Sequence, residues 1–306
     1  MGDLLPDLIA MDEPDLILLG GEYFAHGVAG LARQFAIPSV LSATGPFAAF
    51  FRGVLPRNIG EDLLADARQV DVVVACAKHM ERDLRAAGLR NVELIQNYVD
   101  TDKFADGARD ERLMRQLEIQ HDDVVILHIS NLTPPKRVPD LAAAAHHALQ
   151  RDPRTIFIVV GDGPERPALE EMCAQNGTIR RFRFVGWVDH GRVADFIRLS
   201  DVVVLPSETE GMALAGLETQ ACKRVILASD IPAAREVIVN ETTGLLFRKG
   251  DIPDLVEKLI LAASDPTLRA NIGIRARAFI EDHHAFSDAV RTYELMFERI
   301  IAGDAS

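Results

Sequence analysis

The sequence predicts an α/β protein of two lobes, each organised round a parallel sheet, and three observations lead there. Short β-branched runs alternate with longer helical patterns almost from end to end. The 306 residues are too many for one ordinary core and suit two compact domains of about 100–200 residues each. The pattern breaks once, at Asp102–Asp122, a polar and heavily charged stretch that reads as a linker with a first surface helix.

In chain order the strand candidates are Leu16–Leu19, Pro38–Ser42, Val72–Ala75 and Val92–Ile95, then Val124–Ile129, Ile156–Val160, Phe182–Val185, Val202–Leu205, Val225–Ala228 and Gly244–Phe247. They are continuous apolar runs rather than alternating ones, as strands covered by helices on both faces require. Between them, Val28–Phe35, Ala77–Ala87, Leu141–Gln150 and Asp254–Ala263 repeat apolar residues at three and four, the helical period. The lobes fall near 1–105 and 106–285. A last helix, Phe286–Ile301, offers Tyr293, Leu295, Met296 and Ile300 as an apolar face, and the second lobe has nothing left to cover it. That helix is expected to cross back to the first lobe. The first lobe offers four strand candidates, few for a doubly wound sheet whose βα steps take about 25–30 residues each. On this reading the chain begins late.

Lys plus Arg is 33 and Asp plus Glu is 46, a net charge of −13. Such a chain is a poor candidate for holding duplex nucleic acid or an anionic membrane, both of which need a concentrated basic surface. Cys76, Cys173 and Cys222 are widely spaced and odd in number, with no C-x-x-C pair, which fits a reducing cytoplasm. The first residues, MGDLLPDLIAMDEPD, carry acids where a signal peptide needs basic residues and an apolar run. No apolar stretch approaches the ~18 residues of a membrane span. A cytoplasmic protein is expected.

The chemistry concentrates in Pro206–Ser229, PSETEGMALAGLETQACKRVILAS. A strand ends at Pro206, turn residues follow, and an apolar run begins at Met212. A helix opening there would aim the free N–H groups of Met212, Ala213 and Leu214 at the carboxyl edge of the sheet, an anion site by its unpaired donors and its dipole. Gly211 would let a phosphate approach the backbone. Glu210 and Glu218 are eight residues apart, about 80° round a helix of 3.6 residues per turn. They are therefore no side-by-side carboxylate pair, but each can address a different part of one long ligand. By spacing alone a plainer reading stays open, in which Glu210 is an N-terminal cap charge and Glu218 a solvated helix residue.

Glu210-Gly-Met-Ala-Leu-Ala-Gly-Leu-Glu218, with Ala221-Cys222 and Val225–Ser229 after it, resembles the E-x7-E signature of retaining, nucleotide-sugar-dependent glycosyltransferases of the GT-B fold, family 4. Further segments agree in order and spacing. Ile129-Ser-Asn-Leu-Thr-Pro-Pro-Lys136 resembles the family's G-R-L-x-x-x-K loop, and Val160-Gly-Asp-Gly-Pro164 its G-x-G-P turn. Phe184-Val-Gly186-Trp-Val188 is similar to its base-side loop, and Ser200–Ser207 to the strand before the first Glu. Asn97-Tyr-Val-Asp-Thr-Asp-Lys-Phe104 resembles the segment that closes its first domain. The resemblance covers nearly the whole chain from Pro14 on. It implies an α/β fold of two Rossmann-like lobes facing across a cleft, here with the first lobe truncated.

By that resemblance Glu210 contacts the donor sugar, Glu218 the nucleotide ribose, and Lys136 the donor diphosphate. A cation beside the leaving phosphates stabilises charge as the glycosidic bond breaks. The remaining donor-side residues are Asn131, Arg137, Gly211, Met212, Ala213, Leu214, Gly161, Gly163, Trp187 and Val188. On the acceptor side the resemblance points to Thr44 and Gly45, and His26, on the loop after the first strand, is a further candidate to face the cleft, with the plainer reading of a surface histidine open beside it. Asn131 replaces the family's companion Arg, and the adjacent Arg137 is in position to compensate. Other departures are Lys223 for a small residue, Val225 for a proline, Ala213 for a glycine, and Thr44-Gly45 for the family's His-Gly. The opening strand and its glycine-rich turn have no counterpart.

The expected partners are a nucleoside-diphosphate sugar and a small-molecule, glycan or lipid-linked acceptor, with no cofactor, metal or nucleic acid. A homo-oligomer, or a partner chain completing the first lobe, is left open. Asp100-Thr-Asp102 spells D-x-D, but aspartates before Lys103-Phe104 read as turn caps. His283-His284 has no partner ligands in sequence. Two alternatives remain: a catalytically silent nucleotide-sugar-binding subunit, and a sugar-nucleotide epimerase of the same fold. The stretch His128–Arg137 also resembles a loop in malate N-acetylglucosaminyltransferases of bacillithiol synthesis, too locally to assign an acceptor.

Overall fold

A computed structural model describes residues 12–303. The reading of the N-terminal acids as unlike a leader falls mostly outside the described residues. The chain folds into two compact units. The first holds the described residues up to Asn97, the short segment Thr209–Met212, and the chain from Ser287; the second holds Tyr98–Glu208 and Ala213–Phe286.

The first unit is built on β1 (Ile17–Leu19), β2 (Ser39–Ala43), β3 (Val72–Ala75) and β4 (Val92–Leu94), in that spatial order. All three pairings are parallel. Each crossover carries one or more of the helices Val28–Gln34, Gly45–Phe51, Arg57–Ala67 and Lys78–Ala86. The helix Phe286–Ile301 supplies Met296 to a core with Val40, Val72, Val74 and Ile95, and Tyr293, Phe297 and Ile300 pack against it. Arg299 pairs with Glu93 on β4. Leu295, expected on the packed face, is instead 59% exposed. It follows Glu294 on the flank of the stripe that Tyr293, Met296, Phe297 and Ile300 define.

The second unit has the strands β5 (Val125–Ile129), β6 (Ile156–Val160), β7 (Phe182–Gly186), β8 (Val202–Leu205), β9 (Val225–Ser229) and β10 (Leu245–Phe247). Their spatial order is β10-β9-β8-β5-β6-β7, all parallel. Every strand candidate of the sequence thus has a counterpart within two residues at either end. Helix starts are marked by prolines inside the first turn, as in Val138–Arg151 and Arg166–Gln175, where a missing N–H costs nothing. Aspartate caps mark others: Asp251 accepts from Asp254 N at 3.0 Å, Asp265 from Leu268 N at 2.8 Å, and Asp110 from Arg112 N at 2.7 Å. The linker helix Glu111–Gln116 is less of a surface element than its charge suggested, since it buries Leu113 and Met114.

This strand order fixes where a ligand can sit. The chain runs from β5 outward through β6 and β7, then returns to lay β8 on the other side of β5. The loops after β5 and β8 therefore part at a topological switch point, where parallel sheets open a crevice at their carboxyl ends.

Candidate functional site

The loops after β5 and β8 meet at that edge: Glu208 N donates to Pro135 O at 2.7 Å. The first loop turns through a short 3-10 stretch, Pro134–Lys136, and enters the helix Val138–Arg151 by way of Arg137, whose backbone is left-handed (φ 49°). This turn presents the half-buried Lys136 at the switch point. Arg137 is committed elsewhere. Its Nε and Nη2 reach Asp140 Oδ2 and Oδ1 at 2.8 and 3.1 Å, a two-pronged ion pair on the helix's first turn that holds the guanidinium protonated above its usual range.

Gly161 and Gly163 act on the loop itself. A Cβ on Gly161 would lie 1.8 Å from Ser130 O, and one on Gly163 would lie 2.5 Å from Leu132 O. Ser130 N bonds to Val160 O, and Leu132 N to Asp162 O, at 3.1 and 2.9 Å. The two loops are thus laid backbone to backbone, and only glycine permits that approach. Asn131 is exposed between them. Beneath the loop, the buried His128 places Nδ1 2.8 Å from Val204 O and Nε2 2.7 Å from Ser130 Oγ.

The loop after β7 begins at Gly186 in a left-handed conformation (φ 79°) and presents Trp187, 66% exposed, and the half-buried Val188. The next helix starts two residues later at His190.

The helix expected from Met212 begins at Leu214 and runs to Ala221. Met212 and Ala213 precede it, Ala213 with extended backbone (φ −69°, ψ 96°). Thr209 Oγ1 donates to Ala48 O at 3.3 Å, and Gly211 sits so close to Thr44 and Gly45 that a Cβ would meet their backbone at 3.1–3.2 Å. Ala213, the residue before the helix, is still extended, and the chain turns into helix only at Leu214. The free N–H groups at the helix start are therefore those of Leu214 and Ala215, since Gly216 N already bonds to Ala213 O.

Glu218, on the second turn, is not a solvated helix residue: it is 7% exposed. Burial pushes its carboxyl pKa above the usual glutamate range, opposed by a hydrogen bond from His190. His190 Nε2 lies 2.7 Å from Glu218 Oε1, and Lys103 Nζ lies 2.9 Å from His190 Nδ1. Neither partner was singled out in the sequence as a site residue. Lys103 stood inside a quoted segment, while a histidine at a helix start carries no pattern that would reveal it.

In the first unit, Thr44 and Gly45 form the junction of β2 with the helix Gly45–Phe51. The junction is organised by Glu22, a buried carboxylate that no pattern in the sequence singled out. Its oxygens accept from Thr44 N at 2.7 Å, Thr44 Oγ1 at 2.6 Å and Phe47 N at 3.1 Å. Thr44 thus spends its hydroxyl on Glu22. His26 has its Nδ1 3.2 Å from Asp66 Oδ2, with a side chain 85% exposed. Asp100 accepts from Asp102 N and Lys103 N, both at 3.0 Å, a turn cap as its context suggested. Among the described residues no group of three or more His, Cys, Asp or Glu is placed to hold a metal ion, and no helix is long and apolar enough to cross a membrane.

Residues 109–279 match the family profile described as Glycosyl transferases group 1. Among curated relatives, a glycogen synthase of Mycobacterium tuberculosis (strain CDC 1551 / Oshkosh) is 26% identical over 272 residues, 87% of this chain and 63% of that protein. An N-acetyl-alpha-D-glucosaminyl L-malate synthase of Bacillus anthracis is 28% identical over 240 residues, 77% of this chain and 61% of that protein. The chain spans less than two thirds of the length of these relatives. Among solved structures, a sucrose-phosphate synthase from Thermosynechococcus elongatus matches with TM-score 0.86 at 20% identity, over 99% of this chain and 77% of that one. An Anabaena protein in complex with UDP and glucose gives 0.86 at 19%, over 97% and 81%. At such identity the likeness speaks for the fold, which is GT-B. With its profile match across more than half its length, this chain belongs to the group 1 glycosyl transferases.

Proposed function

We propose that this protein is a retaining glycosyltransferase of family 4 that binds a nucleoside-diphosphate sugar on its second unit. The observation that carries the reading is a buried carboxylate, Glu218, on the helix that opens at the same switch point as the Lys136 loop. Burying a carboxylate is costly unless it is well hydrogen-bonded, and a ribose offers paired hydroxyls that a carboxylate accepts well beside its bond to His190.

In this reading the diphosphate lies between Lys136 and the free N–H groups of Leu214 and Ala215. Both favour a negative charge that grows as the sugar–oxygen bond breaks. Trp187 and Val188 border the base, Glu210 addresses the sugar, and Asn131 adds hydrogen bonds without charge. Gly161 and Gly163 shape the loop, and Arg137 anchors it through Asp140. The acceptor side belongs to the first unit, around Thr44 and Gly45. No protein base is needed, since a leaving phosphate oxygen can take the acceptor's proton. Similar proteins named for malate, glycogen and phosphatidylinositol mannoside acceptors leave the acceptor open among small molecules, glycans and lipid-linked sugars. Three free, buried cysteines suit the cytoplasm, where the proposal sets it.

A second reading, a donor-binding protein without turnover, draws on Asn131 and on the commitment of Arg137 to Asp140, which together leave Lys136 as the loop's cation at the diphosphate. One experiment separates the two. The protein is incubated with UDP-, GDP- and ADP-sugars, and release of nucleoside diphosphate is followed with and without EDTA. Slow, EDTA-insensitive release supports the transferase; tight binding with no release supports the silent form; neither binding nor release contradicts both.

A further inference from the structure

We infer that Lys103 and His190 form a hydrogen-bonded relay that holds Glu218 as a charged, oriented acceptor, making His190 a positioning residue of the nucleotide site. The inference rests on the reading of Glu218 as the ribose contact and adds to it a part assigned to neither residue above.

The relay's direction follows from its donors. An ammonium only donates, so His190 Nδ1, 2.9 Å from Lys103 Nζ, accepts. With Nδ1 accepting, the ring proton is on Nε2, 2.7 Å from Glu218 Oε1, where it donates to the carboxylate. Lys103 thus selects the histidine tautomer that Glu218 needs.

The Lys103–His190 bond is itself exposed, but the fold fixes the backbone of the turn that carries Lys103. The turn bearing Lys103 is closed by Asp100, whose Oδ1 accepts from Asp102 N and Lys103 N. Phe104, 1% exposed, anchors it and sets its ring 5.5 Å from the His190 ring. Arg277 then joins this turn to the helix that carries Glu218: its Nη1 lies 3.0 Å from Thr101 O, 2.9 Å from Phe104 O and 2.8 Å from Ala221 O. A shift of the turn is therefore felt at both His190 and Glu218.

The relay answers a specific problem. Burial favours the neutral form of Glu218, and a protonated carboxyl is a poor acceptor for two hydroxyls. His190, donating from the start of its helix, and Lys103, acting from the turn, are the charged or titratable groups that oppose this. Each carboxylate oxygen has more than one lone pair, so the histidine's bond orients Glu218 and leaves room for the ribose.

The test is calorimetric titration of the whole chain with UDP, GDP and ADP between pH 5 and 9, using whichever binds. The variants are His190→Ala, His190→Gln, Lys103→Met and Glu218→Gln, with thermal unfolding as the check on folding. His190→Ala is expected to weaken binding about 10-fold or more at neutral pH, as loss of a bond to a charged group does, and to move the acid limb of binding to higher pH. His190→Gln, which keeps an N–H donor, restores most of the affinity. Lys103→Met shifts binding in the same direction as His190→Ala, by less. Glu218→Gln weakens binding and removes the limb. If Glu218→Gln does so while His190→Ala leaves both affinity and limb unmoved, the relay is wrong and the ribose contact stands. If Glu218→Gln changes nothing, or none of the three nucleotides binds the wild type, the ribose contact and the relay fall together.

Discussion

Arg137 turns its guanidinium back onto Asp140, with Nε and Nη2 at 2.8 and 3.1 Å from the two carboxylate oxygens. In sequence it adjoins Lys136 and looks ready to share its work. In space its donors are directed at the first turn of the following helix. Lys136→Ala should therefore cut turnover about 10²–10³-fold, with a smaller loss of donor affinity. Arg137→Ala should chiefly lower stability. Steady-state kinetics beside donor titrations of the two variants check this; equal losses of turnover would return Arg137 to the diphosphate.

Glu218 carries an opposite pull between stability and binding. Burial raises its pKa in the fold above that of the unfolded chain. The folded state therefore takes up its proton more readily, and the stabilising contribution, full below the unfolded pKa, is lost as pH rises through the folded one. Glu218→Gln should accordingly raise the melting temperature at neutral pH, since an amide oxygen still accepts from His190 without a buried charge. The advantage should shrink as pH falls into the ordinary glutamate range. Thermal melts across that window read it directly, and a variant less stable than wild type at neutral pH would contradict the burial argument.

Gly161→Ala sets a methyl 1.8 Å from a backbone oxygen at a φ of 119°. Neither can give without moving the Ser130–Leu132 loop. The overpacking alone costs about 1–3 kcal/mol, and the backbone strain a similar amount. A lower denaturation midpoint together with weaker nucleotide binding is expected. An unchanged midpoint would mean that the two loops are not in contact.

Glu22→Ala removes the shared acceptor of Thr44 N, Thr44 Oγ1 and Phe47 N. Stranding buried donors should cost about 1–3 kcal/mol. Glu22→Gln, which keeps an acceptor oxygen, should cost less. Urea unfolding of the pair distinguishes a cap from a bystander, which would give equal midpoints.

The ten strand candidates were legible because buried parallel strands write themselves as unbroken apolar runs, and the sequence placed Glu218 in a helix after β8, where it lies. The start of its helix was not legible. Nothing in Met212-Ala213 announces that Ala213 stays extended and that the helix waits until Leu214. A pairing between residues 87 positions apart, such as Lys103 with His190, leaves no periodic trace. Glu22 was missed for a related reason: a cap supplied from another loop is set by packing and has no local capping pattern. Leu295, apolar but 59% exposed, shows the converse, since composition gives the face of a helix only to within a neighbouring position.

The central claim is that the carboxyl edge of the second unit holds the donor nucleotide, with Glu218 on its ribose. A crystal structure of the protein with a bound nucleoside diphosphate, chosen from UDP, GDP and ADP by affinity, tests it most directly. The account predicts ribose hydroxyls within about 2.6–3.2 Å of the Glu218 carboxylate, and the diphosphate between Lys136 Nζ and the N–H groups of Leu214 and Ala215. A nucleotide bound elsewhere, with Glu218 still paired only to His190, would contradict it.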